Sequence, residues 1–362
     1  MVSGTFSIPL GLIGETDAAP RIRQALSGLG SSLGLREFIA GEENQLVRVL
    51  LPTLERAEHS FHPLLLCGPT GAGKTMLACG LAQRYKELHP AAKTLIITGA
   101  DFARAYATAV ETAGVADFRK KFLSLSLVVL DDIQHLAQKP GAQQEWRHLL
   151  DALADRDVLV IVTSRHAPGE LVEFTPDLRS RLSAGLVVPL AWPAIDTRRE
   201  MIARFFAARR QVLPEPCIER LATQVSGPPS RLFAMLSQLL HTASVDQRVL
   251  DLTLINELLA EQATAHEPTA RMIIAAVAKQ YRLKVSELRG SSRRQTIADA
   301  RGVAMLLLRE LTKQSYREIG KHFADRDHTT VLHACQKTLS HLATDVALQQ
   351  TVQDLKSTLT EG

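Results

Sequence analysis

The sequence has little of what secreted, membrane-spanning or metal-clustered proteins need. Only 4 of its 362 residues are cysteine, and no two of them form a CxxC pair. The 12 histidines do not show the spacing of metal ligands. No apolar run could span a bilayer, and residues 1–12 lack the basic start of a secretory signal. We therefore expect reduced, buried thiols and a protein that stays in the cytoplasm.

Positive charge is concentrated near the C-terminus. The chain carries a net charge of +4. Residues 267–362 hold 15 basic and 10 acidic side chains, whereas residues 1–266 hold 27 and 28. A polyanionic partner would therefore bind the C-terminal quarter. The length and the 46% hydrophobic content are typical of two or three globular domains.

A glycine-rich segment, GPTGAGKT, lies between a predicted strand at 64–67 and a predicted helix that starts near Met76. Its glycines let successive N–H groups point inward, Lys74 adds a positive charge, and the Thr75 hydroxyl can reach Mg²⁺. A chance glycine-rich turn is the alternative, but the strand-to-helix context favours a nucleoside triphosphate site. Its predicted residues are Gly68, Pro69, Thr70, Gly71, Ala72, Gly73, Lys74 and Thr75.

Two carboxylates follow another apolar run, at 125–130. Asp131 can reach the Mg²⁺ ion through water, and Asp132 can orient or deprotonate an attacking water. By themselves two such acids are usually a solvated turn or a helix cap. Together with the glycine-rich loop they favour a metal role for Asp131 and a catalytic role for Asp132.

Strand and helix patterns alternate through the first half of the chain. Apolar runs at 94–98, 125–130, 158–163 and 186–190 are separated by helical patterns. This order predicts a parallel sheet covered by helices on both faces, with ligands at the carboxyl ends of its strands. We predict an α/β nucleotide-binding subdomain at 34–192 and a small helical lid at 193–265. Residues 1–33 form an extension without an assigned function, in which residues 20–29 suggest a short helix. A helical pattern at 42–58 leads into the first strand.

A second all-helical unit is predicted at 266–362, with a helix-turn-helix outline near its end. The two helices are expected at 315–323 and 328–342, and Asp327 suits the N-cap of the second. Capping would leave His328, Thr329 and Thr330 at the helix start, where side chains can reach the major groove. Plain core packing of two amphipathic helices is the alternative.

A basic loop precedes this pair of helices. Arg293 and Arg294 lie in a run of glycine, serine and arginine. Such a loop suits phosphate contacts or an arginine inserted into a minor groove. A solvated surface loop is the alternative.

Four segments resemble the DnaA family of bacterial chromosomal replication initiators. Residues 325–335, DRDHTTVLHAC, resemble its DNA-binding signature, and residues 130–136, LDDIQHL, resemble its Walker B box. Residues 178–182, LRSRL, resemble its arginine-finger box, and FIAG at 38–41 with Asn44 resembles the start of its nucleotide domain. The resemblance covers residues 34–362. It implies an AAA+ P-loop ATPase with a small helical lid, followed by a helix-turn-helix DNA-binding domain.

The resemblance also implies a function. An ATP-bound form with Mg²⁺ would assemble head to tail on nine-base boxes of origin DNA in the nucleoid, melt the adjacent duplex, contact single-stranded DNA and lead to helicase loading. Whether the chain hydrolyses ATP beyond a slow reset is left open, as is contact with acidic lipids. An ATP-liganded transcription regulator is the main alternative. A helicase-loading or transposition-helper ATPase is disfavoured because such proteins lack the C-terminal signature.

The family's functional positions transfer to single residues of this chain. Ile39 would line the adenine pocket, Arg231 would lie near the nucleotide, and Lys139 would contact a single strand. Arg181 would reach the γ-phosphate held by a neighbouring copy, with a local ion pair to Asp177 or Glu173 as the alternative. The implied DNA contacts are Arg293, Arg294, Asp327, His328, Thr329, Thr330 and His333.

The chain also departs from the family pattern. Arg165 stands where the family has aspartate, Ser230 stands where it has a nucleotide-sensing arginine, and Gly141 replaces a basic single-strand contact. These changes bear on nucleotide sensing, hydrolysis and strand stretching. The family's usual first domain is missing, so we expect helicase recruitment through another surface or another protein.

Overall fold

The computed structural model describes residues 5–9, 37–50, 61–265, 268–292, 294–312, 314–343 and 345–361. The chain divides into two compact units, Met1–Ile255 and Asn256–Gly362. This division falls inside a helix, whereas the sequence predicts a domain border at 265/266. The border therefore stays a prediction.

A five-stranded parallel sheet forms the centre of the first unit. Its strands are β3 (Leu64–Cys67), β4 (Thr94–Thr98), β5 (Leu127–Asp131), β6 (Leu159–Ser164) and β7 (Leu186–Pro189), in the order β4-β5-β6-β3-β7. The register pairs Cys67 with Ser164 and Thr98 with Asp131. The carboxyl ends of these strands therefore lie at one edge, as the predicted parallel sheet requires.

Helices cover both faces of this sheet, which confirms the predicted α/β architecture. They are α1 (Lys74–Leu88), α2 (Gly99–Glu111), α3 (Val115–Leu123), α4 (Pro140–Ala154) and α5 (Pro176–Ser183). Side chains alternate between two cores: Leu64 and Leu66 pack with α1, whereas Leu65 packs with Trp146 of α4. Because both faces are buried, the strands are almost continuously apolar.

Four further helices follow the sheet: α6 (Ile195–Ala207), α7 (Glu215–Gln224), α8 (Pro229–Val245) and α9 (Leu252–Ala265). Phe205 and Phe206 of α6 and Phe233 of α8 form an aromatic cluster, with 5.9 Å between the ring centroids of Phe205 and Phe233. Buried Arg198 donates hydrogen bonds to the carbonyl oxygens of Ala222 and Pro193. The predicted lid at 193–265 covers these helices, although most of α9 belongs to the second compact unit.

Two segments near the N-terminus differ from the sequence prediction. β1 (Phe6–Pro9) pairs antiparallel with β2 (Glu37–Ala40), a pairing that the sequence did not predict. The helical pattern predicted at 42–58 begins as a 3₁₀ helix, Glu42–Val49, in which Asn44 has non-helical angles (φ −125°, ψ 33°). Residues 51–60 of that pattern, and the short helix predicted at 20–29, lie outside the described residues.

The second unit is all-helical, as predicted. Its helices after α9 are α10 (Ala270–Gln280), α11 (Val285–Arg289), α12 (Gln295–Thr312), α13 (Tyr316–Lys321), α14 (His328–Leu342) and α15 (Val346–Glu361). α12 lies at the centre, and Val303 and Leu307 on it are buried with Ile273 of α10 and Val331 of α14. No helix in the described parts of either unit combines the length and apolarity needed to cross a membrane.

Candidate nucleotide site and nucleic-acid interface

A cavity of about 350 Å³ opens at the carboxyl edge of the sheet. The glycine-rich loop, the strand ends, β2 and the lid helix α8 all contribute to it. Its walls are Phe38, Ile39, Asn44, Thr70, Gly71, Ala72, Gly73, Lys74, Thr75, Met76, Asp132, Arg165, Ala191, Pro193, Met201, Pro229, Ser230 and Phe233. The structure therefore brings most of the predicted nucleotide-binding residues together in one pocket.

The glycine-rich loop depends on a backbone that only glycine adopts easily. Gly73 caps α1 with φ 90°, and a Cβ there would lie 2.9 Å from the Phe38 ring. Lys74 is buried, and its ammonium group donates hydrogen bonds to the carbonyl oxygens of Gly68 and Pro69, both at 2.7 Å. Burial lowers the pKa of Lys74. Gly68 and Pro69 themselves lie outside the cavity wall.

Asp131 connects three segments at the strand edge. Its Oδ1 atom accepts hydrogen bonds from the Thr75 hydroxyl at 2.8 Å and the Thr163 hydroxyl at 2.7 Å. The Thr163 hydroxyl also accepts the backbone N–H of Asp132 at 2.8 Å. Burial raises the pKa of Asp131, and the two hydroxyl donors oppose that rise. Thr163 is a site residue that sequence reasoning missed, because nothing in a strand interior marks it.

Thr75 and Asp131 are suitable ligands for Mg²⁺. A hydroxyl and a carboxylate are hard oxygen donors, and the structure already places these two groups in contact. Among the described residues, no group of three His, Cys, Asp or Glu side chains is arranged to hold a metal.

Asp132 lines the cavity and follows Asp131 in the chain. It has a left-handed backbone (φ 55°), and its Oδ1 atom accepts a hydrogen bond from the Gln134 amide at 2.6 Å. Arg165, which follows β6, lines the same wall. The site therefore places one carboxylate and one guanidinium beyond the end of the phosphate loop.

Apolar side chains form part of the cavity wall. Phe38 and Ile39 of β2 are buried and line it. Asn44 accepts the N–H of Ala191 at 2.9 Å and donates to its carbonyl at 3.1 Å. Because these residues are 147 positions apart, the sequence alone did not reveal that Asn44 fixes this wall.

The lid contributes no charge to the cavity wall. Pro229, Ser230 and Phe233 line it, whereas Arg231 does not. The Nε atom of Arg231 is buried without a hydrogen-bond partner. The structure therefore does not bring the predicted contact Arg231 to the cavity.

Arg181 lies on α5 and is not part of its own chain's cavity. Its Nε atom lies 2.8 Å from Asp151 Oδ1, without the alignment of a hydrogen bond. The alternative considered from the sequence was a local ion pair of Arg181 with Asp177 or Glu173. The observed partner is Asp151 of α4, which also binds Arg147 at 3.1 Å. The side chain is 26% exposed, so part of it can be reached from outside, although its Nε atom is buried.

Lys139 precedes α4 and is exposed. Its ammonium group donates to the carbonyl of His135 at 2.8 Å. On the neighbouring α3, Arg119 makes two 2.7 Å hydrogen bonds to the buried Glu145 carboxylate, which fixes α3 against α4. The predicted single-strand contact thus lies at the start of a helix that is bonded to its neighbour α3.

The helix-turn-helix outline is present in the second unit. α13 and α14 meet where a Cβ on Gly320 would lie 2.0 Å from the carbonyl oxygen of Arg326, so only glycine fits there without movement. Between the helices, Ala324 and Asp325 have positive φ angles of 56° and 49°. Val331 and Cys335 of α14 are buried, so the opposite face of this helix is free for another molecule.

The predicted DNA-reading side chains of α14 are exposed, most of them near its N-terminal end. Asp327 caps α14 and accepts from the backbone N–H and the hydroxyl of Thr329, at 2.8 and 2.7 Å. The hydroxyl bond of Thr329 is the main cause that lowers the pKa of Asp327. The exposed residues of the set are Asp327, His328, Thr329, Thr330, His333 and Arg294. Arg293 lies outside the described residues.

Arg301 of α12 organises the backbone around the basic loop. It is 5% exposed and donates hydrogen bonds to the carbonyl oxygens of Leu288, Ser292 and Glu287, at 2.9, 3.0 and 3.4 Å. Desolvation lowers its pKa. Sequence reasoning missed this residue, because an arginine inside an amphipathic helix is usually exposed.

We expect Arg301→Ala to destabilise the second unit by about 3 kcal/mol, because three carbonyl groups lose a charged donor. Both tryptophans, Trp146 and Trp192, lie in the first unit. In a urea titration, a circular-dichroism transition should therefore move to lower urea while the tryptophan fluorescence transition stays in place. The exposed Arg271→Ala variant is the control. Unchanged unfolding of the Arg301 variant would contradict this role.

Comparison with known proteins identifies the family. Residues 29–189 match the family model of the bacterial DnaA ATPase domain, and residues 270–338 match that of the bacterial DnaA helix-turn-helix. The chromosomal replication initiator protein DnaA of Cereibacter sphaeroides is 31% identical over 330 residues, which cover 89% of this chain and 72% of that protein. The Sphingopyxis alaskensis protein of the same name is 32% identical over 357 residues, covering 98% and 79%.

A solved structure supports the same fold. It is described as replication initiator DnaA bound to AMPPCP and single-stranded DNA, and it aligns with 90% of this chain and 96% of its own, with a TM-score of 0.56 and 24% identity. With two domain matches and relatives above 30% identity over most of their length, the chain belongs to the DnaA family of bacterial chromosomal replication initiators.

Proposed function

We propose that this chain initiates chromosome replication by assembling on origin DNA in an ATP-controlled manner and opening the duplex beside it. The cavity carries this proposal. It combines a phosphate loop, an apolar wall and Thr75, which is hydrogen-bonded to Asp131, in a chain that also contains a predicted DNA-reading helix. A DnaA of similar fold binds an ATP analogue and single-stranded DNA, which supports the same two ligands here.

In this proposal the phosphates of ATP lie along residues 70–75, with the adenine against Ile39. Lys74 exchanges its two carbonyl partners for phosphate oxygens. Thr75 and Asp131 hold Mg²⁺, which neutralises phosphate charge when bound. Asp132, fixed by Gln134, is placed to orient the water for a slow hydrolysis that resets the assembly.

DNA recognition is assigned to α14 and the basic loop before α12. The exposed His328, Thr329 and Thr330 would contact base edges, with His333 one turn further along the helix. A groove beside the turn is lined by Arg317, Lys321 and Arg326, among other residues. These cations supply phosphate contacts that sequence reasoning did not single out.

Head-to-tail assembly is assigned to Arg181. An arginine that does not line its own cavity but stays accessible can reach the γ-phosphate bound by a neighbouring copy. Assembly would then require ATP, because the charge that Arg181 contacts is absent from ADP. The comparisons give no support to the alternative of a transcription regulator, since the relatives are named as replication initiators.

The proposed function predicts strand opening on a supercoiled plasmid that carries several nine-base boxes beside an AT-rich segment. Opening is expected with ATP and not with ADP. Lys74→Ala should lose ATP affinity by at least about a hundredfold, because a charged phosphate contact is removed from a buried site, and should not open the plasmid. Lys93→Ala, which removes an exposed lysine outside the cavity, is the control. Tight box binding without opening in either nucleotide would contradict the proposal.

The magnesium assignment predicts a pH dependence. Burial raises the pKa of Asp131, so on acidification this carboxylate takes up its proton at a higher pH than an exposed aspartate does. The Mg²⁺-dependent part of ATP affinity should be complete above the raised pKa and be lost as the pH falls through it. Calorimetric titrations with Mg²⁺ or with EDTA measure this part. Asp131→Asn should lack both the magnesium effect and its pH dependence, while the nucleotide's own titration is the same in both proteins.

The assignment of Arg181 predicts two opposite outcomes for the members of one ion pair. Arg181→Ala should keep ATP affinity within about threefold but lose ATP-dependent assembly, because only the contact between copies is removed. Asp151→Ala frees the guanidinium and should still assemble. Sedimentation velocity with ATP and with ADP measures both. If the two variants fail alike, Arg181 acts through its structural ion pair and not as the finger.

A further inference from the structure

Arg165 follows a strand end that is fixed on both sides. The residue before it, Ser164, accepts the N–H of Gly68 at the start of the phosphate loop, at 3.2 Å. The next residue back, Thr163, is bonded to Asp131 and Asp132. Arg165 therefore follows two residues that are bonded to the phosphate loop and to Asp131, and it lies in the wall of the cavity.

A tight turn fixes the backbone at Arg165. The Ser164 hydroxyl donates to the carbonyl oxygen of His166 at 2.7 Å and accepts the N–H of the same residue at 3.2 Å. The side chain that projects from this turn is exposed. Its guanidinium forms no hydrogen bond and no ion pair with any residue that the structure describes.

The charge of Arg165 acts on the site. Desolvation is the main cause that lowers the pKa of Lys74; Asp132 opposes it, and the positive charge of Arg165 adds to it. Lys74 and Arg165 both line the cavity, and Asp132 is the only carboxylate among its described lining residues. Such a pair is stabilised by an anion that both can contact.

The remaining walls cannot supply this contact. From the lid, Pro229, Ser230 and Phe233 are uncharged. The loop N–H groups bind the inner phosphates of a nucleotide, so the outermost phosphate must extend toward the strand edge. There Arg165 presents a planar, permanently charged donor group that suits phosphate oxygens.

We propose that Arg165 binds the terminal phosphate of ATP from within the same chain and thereby makes the cavity prefer the triphosphate over the diphosphate. The inference deepens the proposed function and depends on ATP binding in this cavity. It gives a binding role to a residue that departs from the family pattern. The lid can then remain uncharged at Ser230 while the site still distinguishes ATP from ADP.

Equilibrium titrations of the full chain with ATP and with ADP test the inference. Arg165→Gln should weaken ATP binding about ten- to a hundredfold, because one charge-assisted contact is lost, and should change ADP binding by less than about threefold. Arg165→Lys keeps the charge and should recover part of the preference for ATP. Arg210→Gln removes an exposed arginine outside the cavity and should change neither affinity.

The outcomes separate this inference from the proposed function. If the unsubstituted chain binds neither nucleotide, or if Lys74→Ala binds ATP normally, the proposed function fails. If those two behave as expected but Arg165→Gln keeps the same ratio of ATP to ADP affinity, only the inference is overturned. Equal weakening for ATP and ADP would also overturn it, because it would place Arg165 at an inner phosphate.

Discussion

A single carboxylate oxygen, Asp131 Oδ1, joins the parts of the nucleotide site. It accepts the hydroxyl of Thr75 from α1 and the hydroxyl of Thr163 from β6, while Asp131 itself ends β5. A buried carboxylate is costly unless hydrogen bonds compensate for lost water. The two hydroxyls provide them without neutralising the charge. The phosphate loop and the two strand ends are thereby held in one arrangement, with the negative charge still available to a metal ion.

The second unit contains a buried positive charge that is also stabilised by hydrogen bonds. Arg301 is buried and donates to three backbone carbonyls, and it has no carboxylate partner among the described residues. Neutral acceptors satisfy the guanidinium while its positive charge remains near the basic loop. In each unit a buried charge thus fixes the backbone of a binding segment and keeps a sign that suits the expected ligand: a cation at Asp131, and a polyanion near Arg301.

Individual strands and helices show how much of the structure could be predicted from the sequence. The strand predicted at 94–98 is found as Thr94–Thr98, and the helix predicted at 328–342 as His328–Leu342, because both have clear periodicity and polar ends. The helix predicted at 42–58 was wrong at its start, since Asn44 leaves helical angles to bind Ala191. Long-range partners are invisible to local patterns. Hence Asp151 was missed as the partner of Arg181, as was the bond from Thr163 to Asp131.

The residues of the cavity wall also determine which parts of the first unit a bound nucleotide can affect. Its phosphate end is formed by Lys74 and the strand ends, whereas Phe233 and Ser230 belong to the lid helix α8. A ligand that contacts both the strand ends and α8 stabilises the conformations in which it can contact the two together. The residues that α8 contributes to the cavity wall are uncharged, so a contact with them depends on the presence of a nucleotide more than on its charge. The site must then distinguish ATP from ADP at the carboxyl ends of the strands. A change in structure at this edge can affect the rest of the first unit through the hydrogen bonds of Thr163 and Ser164.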